Sequence, residues 1–92
     1  MPKTRERPRP RRTIGFGSRL RYAREASGMN VIAFARASDT SKSQVSRAER
    51  DEPPFPAIQL VCLWADAAGV RAEWLLFGEE PMRDPLRLTD RP

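Results

Sequence analysis

The sequence predicts an all-α fold, namely one compact domain of five short helices that follows an Arg- and Pro-rich segment. Three observations lead to this prediction. Apolar residues recur at helical spacing between positions 14 and 78. Capping residues and closing glycines divide that stretch into segments, and most of the nine prolines lie outside them. Ninety-two residues suffice for one such domain and are too few for two.

The chain divides into three parts by composition and charge. Residues 1–13 alternate Arg with Pro, which blocks a helix and leaves no apolar face for a strand, so we predict a disordered arm. Residues 14–78 form the predicted domain, and residues 79–92 form a polar tail. The formal charge of the chain is +5, and residues 1–12 alone carry that excess, with six basic residues against Glu6.

The first predicted helix lies between Ile14 and Ser27. Phe16, Leu20 and Ala23 recur at helical spacing and form its inward face. Glycines at positions 15 and 17 weaken the first turn. No strand precedes them and their spacing is incomplete, so they do not indicate a phosphate-binding loop.

Two short helices joined by a tight turn are predicted in the middle of the chain. Asn30 is the expected N-cap of the first helix, because its side-chain oxygen can accept from a backbone N–H of the first turn. Phe34 and Ala35 face inward, and the helix ends near Ala37. Asp39 follows as one of the few non-glycine residues that tolerate the left-handed conformation of a sharp turn.

The second of these helices begins at Lys42. Ser41 and Gln44 have the spacing of a capping box, in which each side chain bonds to the backbone N–H of the other residue. Val45 and Ala48 share one face and are predicted to lie in the core. The opposite edge can donate to base edges in the major groove of DNA without bulk that would hold the helix out. That edge consists of Lys42, Ser43, Ser46 and Arg47.

Two further helices are predicted after a proline-rich break. Phe55 is expected to fold onto the core, and Pro56 suits the first turn of the next helix, where its missing N–H would be unpaired anyway. That helix closes at Gly69, and a last helix covers residues 71–77 and closes at Gly78. The predicted core stripe of the longer helix is Ile58, Val61, Ala65 and Ala68, with Trp64 beside it.

The last two helices carry more apolar residues than a small core needs. Leu60, Leu63 and Ala67 share a face beside the core stripe and form either extra core or an interface, of which we prefer an interface. The last helix is apolar all round, so part of it seals the core and the rest is available to a second subunit. The residues expected at a dimer interface are Leu60, Leu63, Ala67, Trp74, Leu75 and Phe77.

Composition excludes several classes of function. The chain has no His and one Cys, Cys62, which excludes histidine chemistry, a recognisable zinc site and an intrachain disulfide. Its serines lack a His or Lys base, so we expect no enzyme activity, no cofactor and no metal. No apolar run has the length of a signal peptide or a membrane span, and we expect a reducing cytoplasm.

The two middle helices and their turn resemble the helix-turn-helix of the phage-repressor family, which includes lambda repressor and Cro-like, XRE-type proteins. The resemblance covers about residues 16–78. RLRYAREASGM resembles the family's first helix and its closing glycine, while PAIQLVCLWADAAGV and RAEWLLFG resemble the fourth and fifth helices. The family pairs an Arg late in the first helix with a Glu at the end of the recognition helix. The matching positions here are Arg24 and Glu49.

Three positions depart from the family pattern. Val31 stands where the family often has Gln just after the N-cap, so a contact to phosphate or base is lost or replaced. Asp39 takes the turn position of a usual Gly, and Ser38 takes that of an apolar residue that seals the turn. We therefore expect a motif that is less tightly packed than is typical.

The resemblance implies a sequence-specific DNA-binding transcriptional regulator. The expected protein is a repressor that binds a two-fold operator on double-stranded DNA as a homodimer through residues 42–50, in the cytoplasm at the nucleoid. The residues expected to read bases are Lys42, Ser43, Ser46 and Arg47. The residues expected on phosphates are Asn30, Gln44 and Arg50, together with Arg5, Arg7, Arg9, Arg11 and Arg12 of the arm.

Other interpretations stay open at this point. The surplus apolar surface, which also includes Val31 and Ile32, fits an interaction module such as the antitoxin of a toxin–antitoxin pair or an adaptor. RNA binding is a third option, although stacking aromatic residues on an exposed sheet are absent from the prediction. The arm is either a solvated tail or a segment that lies along phosphates or in the minor groove.

Overall fold

A computed structural model describes residues 15–84 of the chain. Within this range the backbone forms five α-helices and no strand, which confirms the all-α prediction. The arm predicted at residues 1–13 lies outside the described residues, as does the last part of the tail. The helices are α1 (Phe16–Ala26), α2 (Val31–Ser38), α3 (Lys42–Glu49), α4 (Ile58–Ala68) and α5 (Ala72–Phe77).

One hydrophobic core joins the five helices. α2 packs on α3 and α4, while α1 packs on α3, α4 and α5. Each helix contributes at least one side chain that is wholly shielded from solvent. Burying a side chain of this kind contributes about 1.5–3 kcal/mol relative to leaving it exposed. The largest fully buried side chains are Leu20 of α1, Phe34 of α2, Val45 of α3, Val61 and Trp64 of α4, and Leu75 of α5.

The turn between α2 and α3 has the predicted backbone. Asn30 caps α2, because its Oδ1 accepts from the Ala33 N–H at 2.8 Å. α2 ends at Ser38, one residue later than expected. Asp39 then adopts φ 60° and ψ 41°, which is the left-handed conformation that the sequence indicates. The chain therefore turns sharply within three residues and enters α3.

The expectation of a looser turn at Ser38 is wrong. Ser38 is only 4% exposed, and its hydroxyl donates to the Phe34 carbonyl at 2.8 Å. The Ser38 and Thr40 hydroxyl oxygens lie 2.9 Å apart, and the indole Nε1 of Trp64 donates to Thr40 Oγ1 at 3.1 Å. Hydrogen bonds thus replace the apolar seal, because a buried hydroxyl with partners avoids the cost of lost hydration. They join the turn to α4.

α1 begins against the end of α3. Its first residue is Phe16, two positions later than the start of the predicted segment. The Gly17 N–H donates to Asp51 Oδ1 at 3.0 Å, so a side chain from beyond α3 caps α1. A Cβ on Gly17 would lie 2.5 Å from the Glu49 carbonyl oxygen and 2.8 Å from that of Ala48. Only glycine allows the two helices to meet this closely.

The segment before α4 differs from the prediction at three residues. α4 begins at Ile58, so Pro56 precedes the helix instead of occupying its first turn. Ile58 is 57% exposed and does not belong to the core stripe, because the fully buried side chains of α4 begin at Val61. Phe55 contacts Phe16, with ring centroids 5.0 Å apart, yet it is 59% exposed. It therefore covers the edge of the core instead of filling it.

Residues 79–84, the first part of the predicted tail, fold back onto the domain. Arg83 Nη1 donates to the Gly69 carbonyl at 2.9 Å and so satisfies an acceptor at the C-terminus of α4. The Arg71 N–H donates to the Met82 carbonyl at 2.8 Å, and Met82 packs against the core. The folded unit thus extends past Gly78.

Candidate nucleic-acid interface

The predicted capping box fixes the N-terminus of α3. The Gln44 N–H donates to Ser41 Oγ at 3.0 Å, and the Ser41 N–H donates to Gln44 Oε1 at 2.9 Å. Two backbone donors that the helix leaves unpaired are therefore satisfied. α3 begins at Lys42, as predicted.

The two faces of α3 differ as the spacing predicts. Val45 is fully buried and Ala48 is 5% exposed, and both pack in the core. Lys42, Ser43 and Arg47 are exposed. Their ammonium, hydroxyl and guanidinium groups can donate to phosphate oxygens or to the acceptors that guanine presents in a major groove. The exposed edge of α3 thus has the chemistry of a DNA reader.

An ion pair between Arg24 and Glu49 joins α1 to the last residue of α3. The Arg24 guanidinium donates through Nε to Glu49 Oε2 at 2.6 Å and through Nη2 to Oε1 at 3.1 Å. The side chains are 10% and 9% exposed, and Arg24 Nη1 also donates to the Met29 carbonyl at 2.9 Å. The hydrogen bond with Glu49 raises the pKa of Arg24 despite the opposing effect of burial. The pair fixes the orientation of α3 on the domain.

A carboxylate that the sequence analysis missed lies at the C-terminal end of the polar edge. Arg50 Nε donates to Glu52 Oε2 at 2.8 Å, and Arg47 Nε lies 3.5 Å from Glu52 Oε1. The hydrogen bond from Arg50 lowers the pKa of Glu52, so the carboxylate is charged at neutral pH. The available signal was an acidic residue two positions after Arg50.

Ser46 has a different environment from its neighbours on the polar edge. It is half-buried, and its hydroxyl accepts from Arg50 Nη1 at 2.8 Å. The sequence analysis assigned Ser46 to bases and Arg50 to phosphates as separate contacts. In the structure the Ser46 and Arg50 side chains are hydrogen-bonded to each other, so they form one polar group at the end of α3.

The residues expected on phosphates fall into two groups. Asn30 and Gln44 are exposed, and their side-chain oxygens accept the capping hydrogen bonds, which leaves the amide nitrogens to donate to an anion. The arm residues Arg5, Arg7, Arg9, Arg11 and Arg12 lie outside the described part of the chain. Their assignment to phosphates stays a prediction.

The residues expected at a dimer interface are not all on the surface. Leu75 is fully buried and Trp74 is 8% exposed, so both belong to the core of one chain and are removed from the candidate interface. They turn inward because α5 packs on both α1 and α4. Leu63 is 42% exposed and Phe77 70% exposed. Leu60 and Ala67 are half-buried against the core.

A metal-binding cluster and a membrane-spanning helix are both absent from residues 15–84. This part of the chain contains no group of three or more His, Cys, Asp or Glu side chains that could hold a metal ion. None of its helices is long and apolar enough to cross a membrane.

Comparison with known proteins gives one family. A model of the helix-turn-helix family matches residues 20–75, a stretch that runs from α1 into α5 and includes α2, the turn and α3. No curated protein matches the chain.

Proposed function

This chain belongs to the XRE-type helix-turn-helix family of DNA-binding transcriptional regulators, and from this membership we propose a repressor that reads a two-fold operator as a homodimer. In this proposal Lys42, Ser43, Arg47 and the bonded pair Ser46 and Arg50 enter a major groove. Asn30, Gln44 and the arginines of the arm hold phosphates. Such a protein acts at the nucleoid.

The observation that carries the proposal is the two-sided character of α3. One face is locked into the core through Val45 and joined to α1 by Glu49, so the helix does not need to reorganise on binding. The other face is exposed and rich in donors. A donor-rich edge on a rigidly held helix is what sequence reading in a major groove requires.

The homodimer follows from the size of the reading element. α3 has eight residues and is about 12 Å long at roughly 1.5 Å per residue, so one copy reaches only a few base pairs. Two copies related by a two-fold axis double the site, with half-sites about 34 Å apart. Leu63 and Phe77 are exposed apolar side chains that a second copy can cover.

A second candidate function is an antitoxin or adaptor that binds protein through the same scaffold. The specific observation in its favour is the exposure of large apolar side chains on helices other than α3, with Phe77 70% and Ile32 52% exposed. Both functions use the described fold, and they differ in how strongly binding depends on salt.

Selection of duplexes from a random pool, followed by titration at several salt concentrations, tests the proposal. A DNA reader enriches one sequence and loses affinity steeply with salt, with a slope of about 0.9 per phosphate neutralised. The cations of the arm add to that slope. A protein adaptor enriches no sequence, and its binding to its protein partner changes little with salt. That result would contradict the DNA-binding regulator and favour the antitoxin or adaptor.

A further inference from the structure

A single carboxylate lies between the two arginines at the C-terminal end of α3. Glu52 Oε2 accepts from Arg50 Nε at 2.8 Å, and Glu52 Oε1 lies 3.5 Å from Arg47 Nε. One acidic side chain thus contacts both of the exposed guanidinium groups with which this end of the helix would meet DNA. All three side chains are exposed, at 57% for each arginine and 42% for Glu52.

The backbone fixes the position of this carboxylate. Asp51 takes the left-handed conformation, with φ 56°, and its side chain accepts from the Gly17 N–H. The Glu52 N–H then donates to the Arg47 carbonyl at 3.0 Å, which closes the end of α3. Because the turn is tied both to α1 and to α3, Glu52 is held beside the arginines by the fold.

The ion pairs of Glu52 with Arg47 and Arg50 are not explained by the stability of the fold. Exposed ion pairs contribute little to folding, because solvent screens them and long side chains lose freedom in forming them. The contrast with Arg24 and Glu49 is clear, since that pair is almost fully buried.

The position of Glu52 has a stronger effect on whether the two arginines contact phosphates or bases of DNA. Each guanidinium has five N–H donors, and Glu52 faces the Nε edge. The terminal nitrogens of Arg47 remain for the bidentate contact that arginine makes with guanine. A phosphate that approaches the Nε edge meets the negative charge of Glu52 at close range and is repelled.

We propose that Glu52 is a specificity-determining residue, which keeps Arg47 and Arg50 from the phosphates that every DNA sequence offers and leaves the terminal nitrogens of Arg47 for bases. The proposal rests on the proposed DNA-reading function of α3. In this proposal Glu52 determines the ratio of the protein's affinity for its specific sequence to its affinity for non-specific DNA. Without this carboxylate, both arginines are free to bind phosphates of any duplex.

The test compares Glu52→Gln with Glu73→Gln. Each variant removes one negative charge from an ion pair. Glu73 lies in α5, which packs on α1 and α4, and it pairs with Arg71 at 3.6 Å. Affinities are measured by fluorescence anisotropy for two duplexes. One is the sequence that the parent protein selects from a random pool, and the other is a permutation of it with the same composition. Thermal melts establish that both variants are folded.

We expect Glu52→Gln to strengthen binding to the permuted duplex about three- to tenfold and to steepen its salt slope by about 1–2, as one or two more phosphates are neutralised. Affinity for the selected duplex changes by less than about twofold, so the specificity ratio falls. Glu73→Gln leaves the ratio at the parent value.

Two results would overturn the proposal in distinguishable ways. If the parent prefers one duplex and Glu52→Gln keeps the same ratio, or changes it no more than Glu73→Gln does, Glu52 has no part in specificity and the proposed function stands. If the parent prefers no duplex at all, the proposed function fails, and the role of Glu52 fails with it.

Discussion

At the scale of residues, the junction between α1 and α3 depends on one position where no side chain fits. Gly17 packs against the carbonyl oxygens of Ala48 and Glu49, and its N–H is capped by Asp51. These contacts bring α1 onto the C-terminal end of α3, next to the ion pair of Arg24 with Glu49. The orientation of α3 is thus set by a few atoms at the end of the helix that meets α1.

Replacement of Gly17 by Ala should destabilise the domain by about 1–3 kcal/mol, the range for overpacking a tight contact. The added Cβ would lie 2.5 Å from the Glu49 carbonyl oxygen, which is backbone and cannot easily move. Gly15→Ala is the matched control, because its Cβ has its nearest neighbour, Asp51 Oδ2, at 3.8 Å. Chemical denaturation measures both. Equal stability of the two variants would show that the junction tolerates a side chain.

The Arg24 and Glu49 pair should show strong coupling in a double-mutant cycle. Glu49→Leu alone leaves the buried Arg24 charge without its partner and should cost about 3–5 kcal/mol of unfolding free energy. The double change to Met at position 24 and Leu at position 49 should cost much less, because no charge is then stranded. Urea unfolding of the four proteins gives the coupling energy. A value near zero would mean that the pair does not hold α3 to α1.

At the scale of elements, the sequence predicted the helices and their caps well, because those signals are local. The Asn30 cap and the Ser41 and Gln44 box join residues three apart, and each appears in the structure as expected. Two of the bonds that were missed join residues distant in sequence. Asp51 caps α1 across 34 positions, and Trp64 reaches Thr40 across 24.

In the candidate site, too, local features were predicted and features that depend on the tertiary fold were missed. The buried and exposed faces of α3 follow from helical spacing alone. The contact of Glu52 with Arg47 could not be predicted, since it depends on how the chain turns after α3 and on the left-handed Asp51. The assignment of Trp74 and Leu75 to a dimer surface was wrong, because residues 74–77 are all apolar and spacing does not distinguish the core side of the helix.

The hydrogen bond between Trp64 and Thr40 should stabilise the turn that separates α2 from α3. Thr40→Val keeps the shape but leaves the buried indole N–H without its acceptor, at a cost of about 1–3 kcal/mol. Thr40→Ser retains the hydroxyl and should stay close to the parent. Thermal melts followed by tryptophan fluorescence report both effects. If Thr40→Val has the same melting temperature as the parent, the turn does not depend on this hydrogen bond.

At the scale of the whole molecule, a dimer would bring two copies of α3 onto one face of the DNA. Leu63→Glu should weaken self-association at least tenfold, because it places like charges across an interface related by a two-fold axis. Analytical ultracentrifugation at tens of micromolar, where we expect the parent to be a dimer, measures this. Gln59→Glu is the control, as an exposed position on the same helix. A parent protein that is monomeric both free and on DNA would contradict the dimer.

The most direct test of the central claim, that α3 reads DNA, is the affinity of Arg47→Ala for the duplex selected by the parent. Arg47 is exposed on the polar edge, and its removal should cost about 1–3 kcal/mol of specific binding, with an unchanged melt. Arg21→Ala is the control, since Arg21 is exposed on α1 and pairs with Glu25 at 3.1 Å. We expect loss of affinity for Arg47→Ala alone. A folded Arg47→Ala variant that binds the duplex as tightly as the parent would contradict it.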